Sequence, residues 1–124
     1  MVPPMPRPMA GEVWDIIKVP FPYTNRPVQQ HRPALVIGQH RAPGSPALVW
    51  LLMITSASHR RWTGDIGVSD GMAAGLPAPS MVRSAKIATV EALDAERIGY
   101  LPASDRPGVQ GQLASLFASI LQTR

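Results

Sequence analysis

The chain has 124 residues, twelve basic against eight acidic side chains for a net charge of +4, and no cysteine. That length suits one domain, and an apolar fraction of 45% is enough to fill its core. The composition excludes a disulfide scaffold, a cysteine-ligated metal site and a thiol nucleophile, and the longest apolar run, residues 47–54, falls far short of the roughly 20 residues that span a membrane.

Residues 1–10 carry four of the 14 prolines and read as a flexible leader, with Met9 a second candidate start. They lack the apolar stretch of a secretory signal, so a cytoplasmic protein is expected. A single domain then occupies residues 11–124. Residues 12–19 show the near-alternation of a strand. Closely spaced prolines and an Asn-Arg-Pro turn signal make a long loop of residues 21–31. Loops of that length in a compact domain often carry function. Residues 32–39 form a second strand, with Pro33 near its start, where a missing N–H is tolerated. Residues 47–55 form a third, continuously apolar to Ile54, which suits burial on both faces or the inside of a closed barrel.

A second polar loop, residues 56–64, holds His59, Arg60, Arg61 and Trp62. Residues 65–69 are a short strand, and a helical turn is expected around residues 72–74. Residues 80–84 and 86–90 read as two consecutive strand pieces. One turn of helix at 91–96 and a short extended piece at 97–101 follow. Asp105-Arg106-Pro107 has the look of an N-cap with an early proline. From Val109, apolar residues recur at three- to four-residue spacing, an amphipathic helix to about residue 122. The expected fold is mainly β (α+β): a small, strongly bent sheet or barrel with one C-terminal helix.

The common catalytic motifs are missing: no G-x-x-x-x-G-K-[ST], G-x-S-x-G or H-E-x-x-H. His31, His40 and His59 are not spaced as metal ligands, and carboxylates are few. No metal or cofactor is expected. Ten of the twelve bases are arginine, and residues 1–62 hold seven bases against two acids. Arginine grips phosphate through a planar fork of donors, so a polyanionic partner fits the charge as well as a merely solubilising basic surface does. The remaining candidates are polar residues at strand ends: Arg32, Thr55, Ser56, Ser80, Arg83 and Lys86.

The order of the segments resembles the MazF/PemK family of toxin endoribonucleases. The matching pieces are Gly11-Glu12-Val13-Trp14, His31-Arg32-Pro33-Ala34-Leu35-Val36-Ile37, Ile54-Thr55-Ser56, Gly64-Asp65-Ile66, Gly75-Leu76-Pro77, Ser80-Met81-Val82-Arg83, Lys86-Ile87-Ala88-Thr89 and Ile98-Gly99-Tyr100-Leu101. Each is short, and their joint order is what is specific. The resemblance implies an SH3-like curved β-barrel, a homodimer, and metal-independent cleavage of single-stranded RNA at short motifs. It also implies a cognate antitoxin that covers the RNA groove with an acidic C-terminal segment.

In the family the arginine and threonine at the positions of Arg32 and Thr55 are the catalytic pair. RNA supplies its own nucleophile, the 2′-hydroxyl, so the protein has to align it and neutralise phosphoryl charge. Arg83 matches the family's strand context and joins the catalytic candidates. The general base is open: some relatives carry an acid two positions after that arginine, where this chain has Ala85. His31 and Ser56 are candidates for a base or an orienting group. Phe21, Tyr23, Arg26, Arg60, Arg61, Trp62, Ser80 and Lys86 are RNA-binding candidates, because rings stack bases and cations meet phosphates. Two rivals share the fold, a CcdB-like gyrase poison and an inactive RNA-binding member. The Arg32/Thr55 pair favours the nuclease, since a poison has no use for it.

Overall fold

The computed structural model describes residues 11–21 and 30–122. Six strands form one antiparallel sheet: β1 (Asp15–Phe21), β2 (Gln30–His40), β3 (Leu48–Ser56), β4 (Asp65–Gly67), β5 (Ser80–Glu91) and β6 (Glu96–Tyr100). Their order across the sheet is β4-β5-β3-β2-β1-β6. The edges β4 and β6 are not paired with each other, so the sheet is curved but not closed by hydrogen bonds among the described residues. An α-helix, α1 (Arg106–Leu121), follows β6 and is the only one among the described residues. No helix among the described residues is long and apolar enough to cross a membrane.

The apolar run of β3 sits at the sheet's centre and feeds both faces, as its continuous hydrophobicity requires. Leu52 and Ile54 join Ile16, Leu35 and Val82 in one core beneath Leu101 and Val109. Val49, Leu51 and Met53 join Ile17, Val19, Ala34 and Val36 in a second core on the other side. Successive strand residues alternate between the two.

Three boundaries differ from the sequence expectation for local reasons. β1 starts at Asp15, because residues 12–15 form a turn in which Asp15 N–H bonds Glu12 O at 2.9 Å and Trp14 takes a positive φ of 78°. β2 starts at Gln30, which puts His31 inside a strand opposite Pro20. The two expected pieces at 80–90 are one strand. Its ladder with β3 jumps from Leu52↔Ile87 to Met53↔Arg83, a bulge that absorbs residues 84–86. Asp105 stands at the N-cap of α1 with Pro107 in the first turn, as expected, but its side chain makes no cap hydrogen bond; its carboxylate accepts the backbone N–H and hydroxyl of Ser69 at 2.8 and 2.9 Å.

The amphipathic expectation for α1 holds only over its first turns. Val109 is fully buried, whereas Phe117 is 38% and Leu121 79% exposed. The expected turn at 72–74 is present, closed by Ala74 N–H to Asp70 O. It packs on β6 so closely that Gly75, at φ +70°, and Gly99 have no room for a side chain. The leader at 1–10 and most of the loop at 21–31 lie outside the described residues.

Candidate RNA-cleavage groove

β2 pairs with β3 through Ala34↔Met53. Continued by two residues, that register brings Arg32 level with Thr55. Both side chains line one groove of about 470 Å³. Lys18 and His31 also line it, from β1 and β2. Leu76, Pro77 and Ile98 give it apolar walls, and Ser80 stands at the start of β5. Arg32 and Thr55 share a second, smaller recess of about 40 Å³ with Arg83 and Lys86. Arg32 is half-buried.

Beyond Thr55 the chain turns sharply. His59 N–H donates to Ser56 O at 3.1 Å, and Ser58 N–H donates to the Ser56 hydroxyl at 3.2 Å. Ala57 N–H donates to Pro79 O at 2.9 Å and ties the turn to the start of β5. Ser56 therefore shapes the turn through its own backbone and hydroxyl. The turn folds the His59 ring back over β3, where Nδ1 lies 2.6 Å from Thr55 Oγ1 and shares a hydrogen bond with it. His59 lines the same groove. The sequence reading passed over this residue. Its only signal is Thr-x-x-x-His across a serine turn, and outside a helix a four-residue spacing carries no contact until the turn is known.

Arg83, one of the catalytic candidates, is held by an acid across the sheet. Its Nε and Nη2 bond the Asp65 carboxylate, the closest at 2.9 Å, and Nη2 also donates to Arg60 O at 2.7 Å. Its guanidinium carbon sits 3.8 Å over the Trp62 ring. Arg61 Nη2 donates to Asp65 O and the Trp62 N–H donates to Asp65 Oδ2, both at 2.8 Å. The cluster at 60–62 is thus organised around a buried ion pair, with one face of Trp62 already stacked on a cation. Burial pushes the Asp65 carboxyl up, but the Arg83 hydrogen bonds, the Trp62 N–H and the charges of Arg83 and Arg61 outweigh it. The net effect is a value below the ordinary 3.8.

Lys86 is exposed in the β5 bulge, and Arg60 and Arg61 are exposed on the second loop. Tyr23 and Arg26 lie outside the described residues, as does the side chain of Phe21. Among the described residues, no group of three or more His, Asp or Glu is disposed to hold a metal ion.

Residues 12–117 match the family of PemK-like, MazF-like toxins of type II toxin-antitoxin systems. Similar solved structures include the toxin MazF-mt6 of Mycobacterium tuberculosis, at 23% identity and a TM-score of 0.62. That match covers 84% of this chain and 96% of the other. MazF of Deinococcus radiodurans matches at 20% identity and a TM-score of 0.62, covering 86% and 96%. An endoribonuclease in complex with its cognate antitoxin, from a mycobacterial species, matches at 18% identity and a TM-score of 0.63, covering 93% and 100%. At these identities the likeness is one of fold. No curated protein sequence is significantly similar to this chain.

Proposed function

The chain belongs to the family of PemK-like, MazF-like toxins of type II toxin-antitoxin systems, and from that premise we propose that it is a metal-independent, sequence-specific endoribonuclease of single-stranded RNA. The observation that carries this reading is the groove of about 470 Å³ that Arg32 and Thr55 share. An RNA strand laid in it presents a 2′-hydroxyl next to a phosphate. The Arg32 fork matches two phosphoryl oxygens and stabilises the charge that builds on them. The Thr55 hydroxyl donates to the scissile phosphate and holds it for in-line attack. Lys18 and the exposed Arg60, Arg61 and Lys86 supply long-range attraction for the backbone.

The same cations suit an acidic antitoxin segment, which would block the groove by occupying it; the mycobacterial neighbour is an endoribonuclease with its cognate antitoxin. The toxin acts in the cytoplasm, where its substrate is. We assign the homodimer contact to the open apolar groove of about 770 Å³ between α1 and the sheet, with Trp50, Ile87 and Phe117 on its walls. Phe117→Glu then shifts the protein to monomer in sedimentation.

The test is direct. Purified protein is incubated with long single-stranded RNA in the presence of a chelator. Discrete fragments ending in 2′,3′-cyclic phosphate support the nuclease; intact RNA together with stalled gyrase supports the poison. Arg32→Ala abolishes cleavage and leaves the fold intact. Arg32→Lys also performs poorly, because it keeps the charge and loses the fork. Full activity in Arg32→Ala refutes the assignment.

A further inference from the structure

An attack by the 2′-hydroxyl needs a group to take its proton, and the position where some relatives carry an acid is Ala85 here. We propose that His59 is the general base of the reaction, held in place by Thr55; this rests on the nuclease reading above. Three observations carry it. The His59 ring and the Thr55 hydroxyl are hydrogen-bonded at 2.6 Å. Both side chains line the groove that Arg32 lines. The ring reaches that place through a turn fixed by the Ser56 carbonyl and hydroxyl and by the Ala57 to Pro79 bond.

The 2.6 Å contact is open to either tautomer of the ring, and the reactive one is that protonated at Nδ1. In that tautomer Nδ1–H donates to Thr55 Oγ1, and Nε2 is unprotonated and able to accept. Thr55 Oγ1 accepts through a lone pair, so its own O–H remains for the phosphate. The 2′-O–H bond breaks and its proton passes to Nε2. The 2′-oxygen forms a bond to phosphorus, and the bond from phosphorus to the 5′-oxygen breaks. The leaving 5′-oxygen takes a proton from water, and the imidazolium returns its proton to solvent. The products are a 2′,3′-cyclic phosphate and a 5′-hydroxyl, with charge and protons conserved. The charged and titratable groups facing His59 in the groove are Lys18 from β1 and His31 and Arg32 from β2, with Arg60 and Arg61 adjacent on its own loop. None is a carboxylate, so His59 and His31 are the two side chains there with an imidazole nitrogen able to accept a proton. Of these, His59 is the one hydrogen-bonded to Thr55.

The experiment measures single-turnover cleavage of a long mixed-sequence single-stranded RNA from pH 5.5 to 8.5, for wild type, His59→Ala and His59→Gln. The glutamine amide can still bond Thr55 but cannot take the proton. Expected is a rate that rises with pH in the wild type. In both variants it falls by about 100-fold or more and loses that rise. Binding of the uncleavable 2′-deoxy version of the strand stays within about twofold. A substrate with sulfur replacing the leaving 5′-oxygen at the mapped cut site loses as much as the ordinary one, since sulfur leaves without a proton while the base is still needed.

Wild-type-like rates and pH dependence in His59→Ala overturn the proposal. So does recovery in His59→Gln, which leaves only a positioning role, and so does rescue by the sulfur substrate, which makes His59 an acid. Failure of the wild type itself to cut any RNA overturns the nuclease reading and this proposal with it, an outcome distinct from the other three.

Discussion

Asp65 and Arg83, paired across the β4–β5 ladder, form a 2.9 Å ion pair whose side chains are 1% and 10% exposed. Arg83 also holds the Arg60 carbonyl and the face of Trp62. One buried cation therefore ties the second loop to the sheet. That loop carries His59 back to the groove, so the pair supports the site from outside it.

Removing the acid leaves a buried guanidinium without its counter-charge. Asp65→Asn is expected to cost about 3 kcal/mol, read by urea unfolding at pH 7. The pH dependence has a definite sign. The Asp65 carboxyl is held lower in the folded chain than in the unfolded one. Its contribution is therefore complete above about pH 4 and drains away as pH falls through the folded value. Wild-type stability should drop more steeply than that of Asp65→Asn in this acid range. Parallel curves would mean that the pair contributes nothing specific.

Ser84 makes the opposite kind of prediction. It is 2% exposed, and its hydroxyl has no hydrogen-bond partner among the described residues. It lies in the β5 bulge, next to Arg83. A hydroxyl taken from water without compensation is a liability. Ser84→Ala should be neutral or stabilising by about 1 kcal/mol, with cleavage activity retained. A loss of more than about 1 kcal/mol in a denaturant titration would show that the hydroxyl has a bond unseen here.

These two residues also mark what could be read from the sequence. β3 was plain, because eight successive apolar residues at that length fit a central strand. Arg32 and Thr55 were legible as strand-end polar residues, weighted by the family resemblance. The Asp65–Arg83 pair was not. The acid lies eighteen positions away, and only the β4–β5 pairing brings the two together. The bulge at 84–86 made one strand look like two, since Ser84, Ala85 and Lys86 break the alternation. His59 stayed hidden because its approach to Thr55 depends on a turn geometry that no periodicity encodes. The far half of α1 misled in a different way: its spacing suited a buried face, yet Phe117 and Leu121 line an open groove between helix and sheet instead of closing on it.

Gly75 tests how the groove's wall is built. It sits at φ +70°, and an added Cβ would lie 2.0 Å from the Ile98 carbonyl oxygen. Both the backbone conformation and the contact exclude a side chain. Gly75→Ala should destabilise the fold by roughly 2 kcal/mol or more and move Leu76 and Pro77, which line the groove. The activity loss should then accompany a lower Tm. A variant with a normal Tm and normal cleavage would show that β6 and the 70–76 turn separate at little cost.

Thr55 carries two tasks that can be taken apart. Thr55→Ser keeps a hydroxyl for both His59 and the phosphate and loses only a methyl, so cleavage should stay within about tenfold of wild type. Thr55→Val has nearly the same shape and loses the hydroxyl. It gives up the phosphate donor and frees the His59 ring together, and a loss of about 100- to 1,000-fold is expected. If the two tasks are coupled as the 2.6 Å bond implies, adding His59→Ala to Thr55→Val should cost much less than His59→Ala costs alone. Full additivity of the two losses would mean that the residues act independently, whatever their distance in the resting protein.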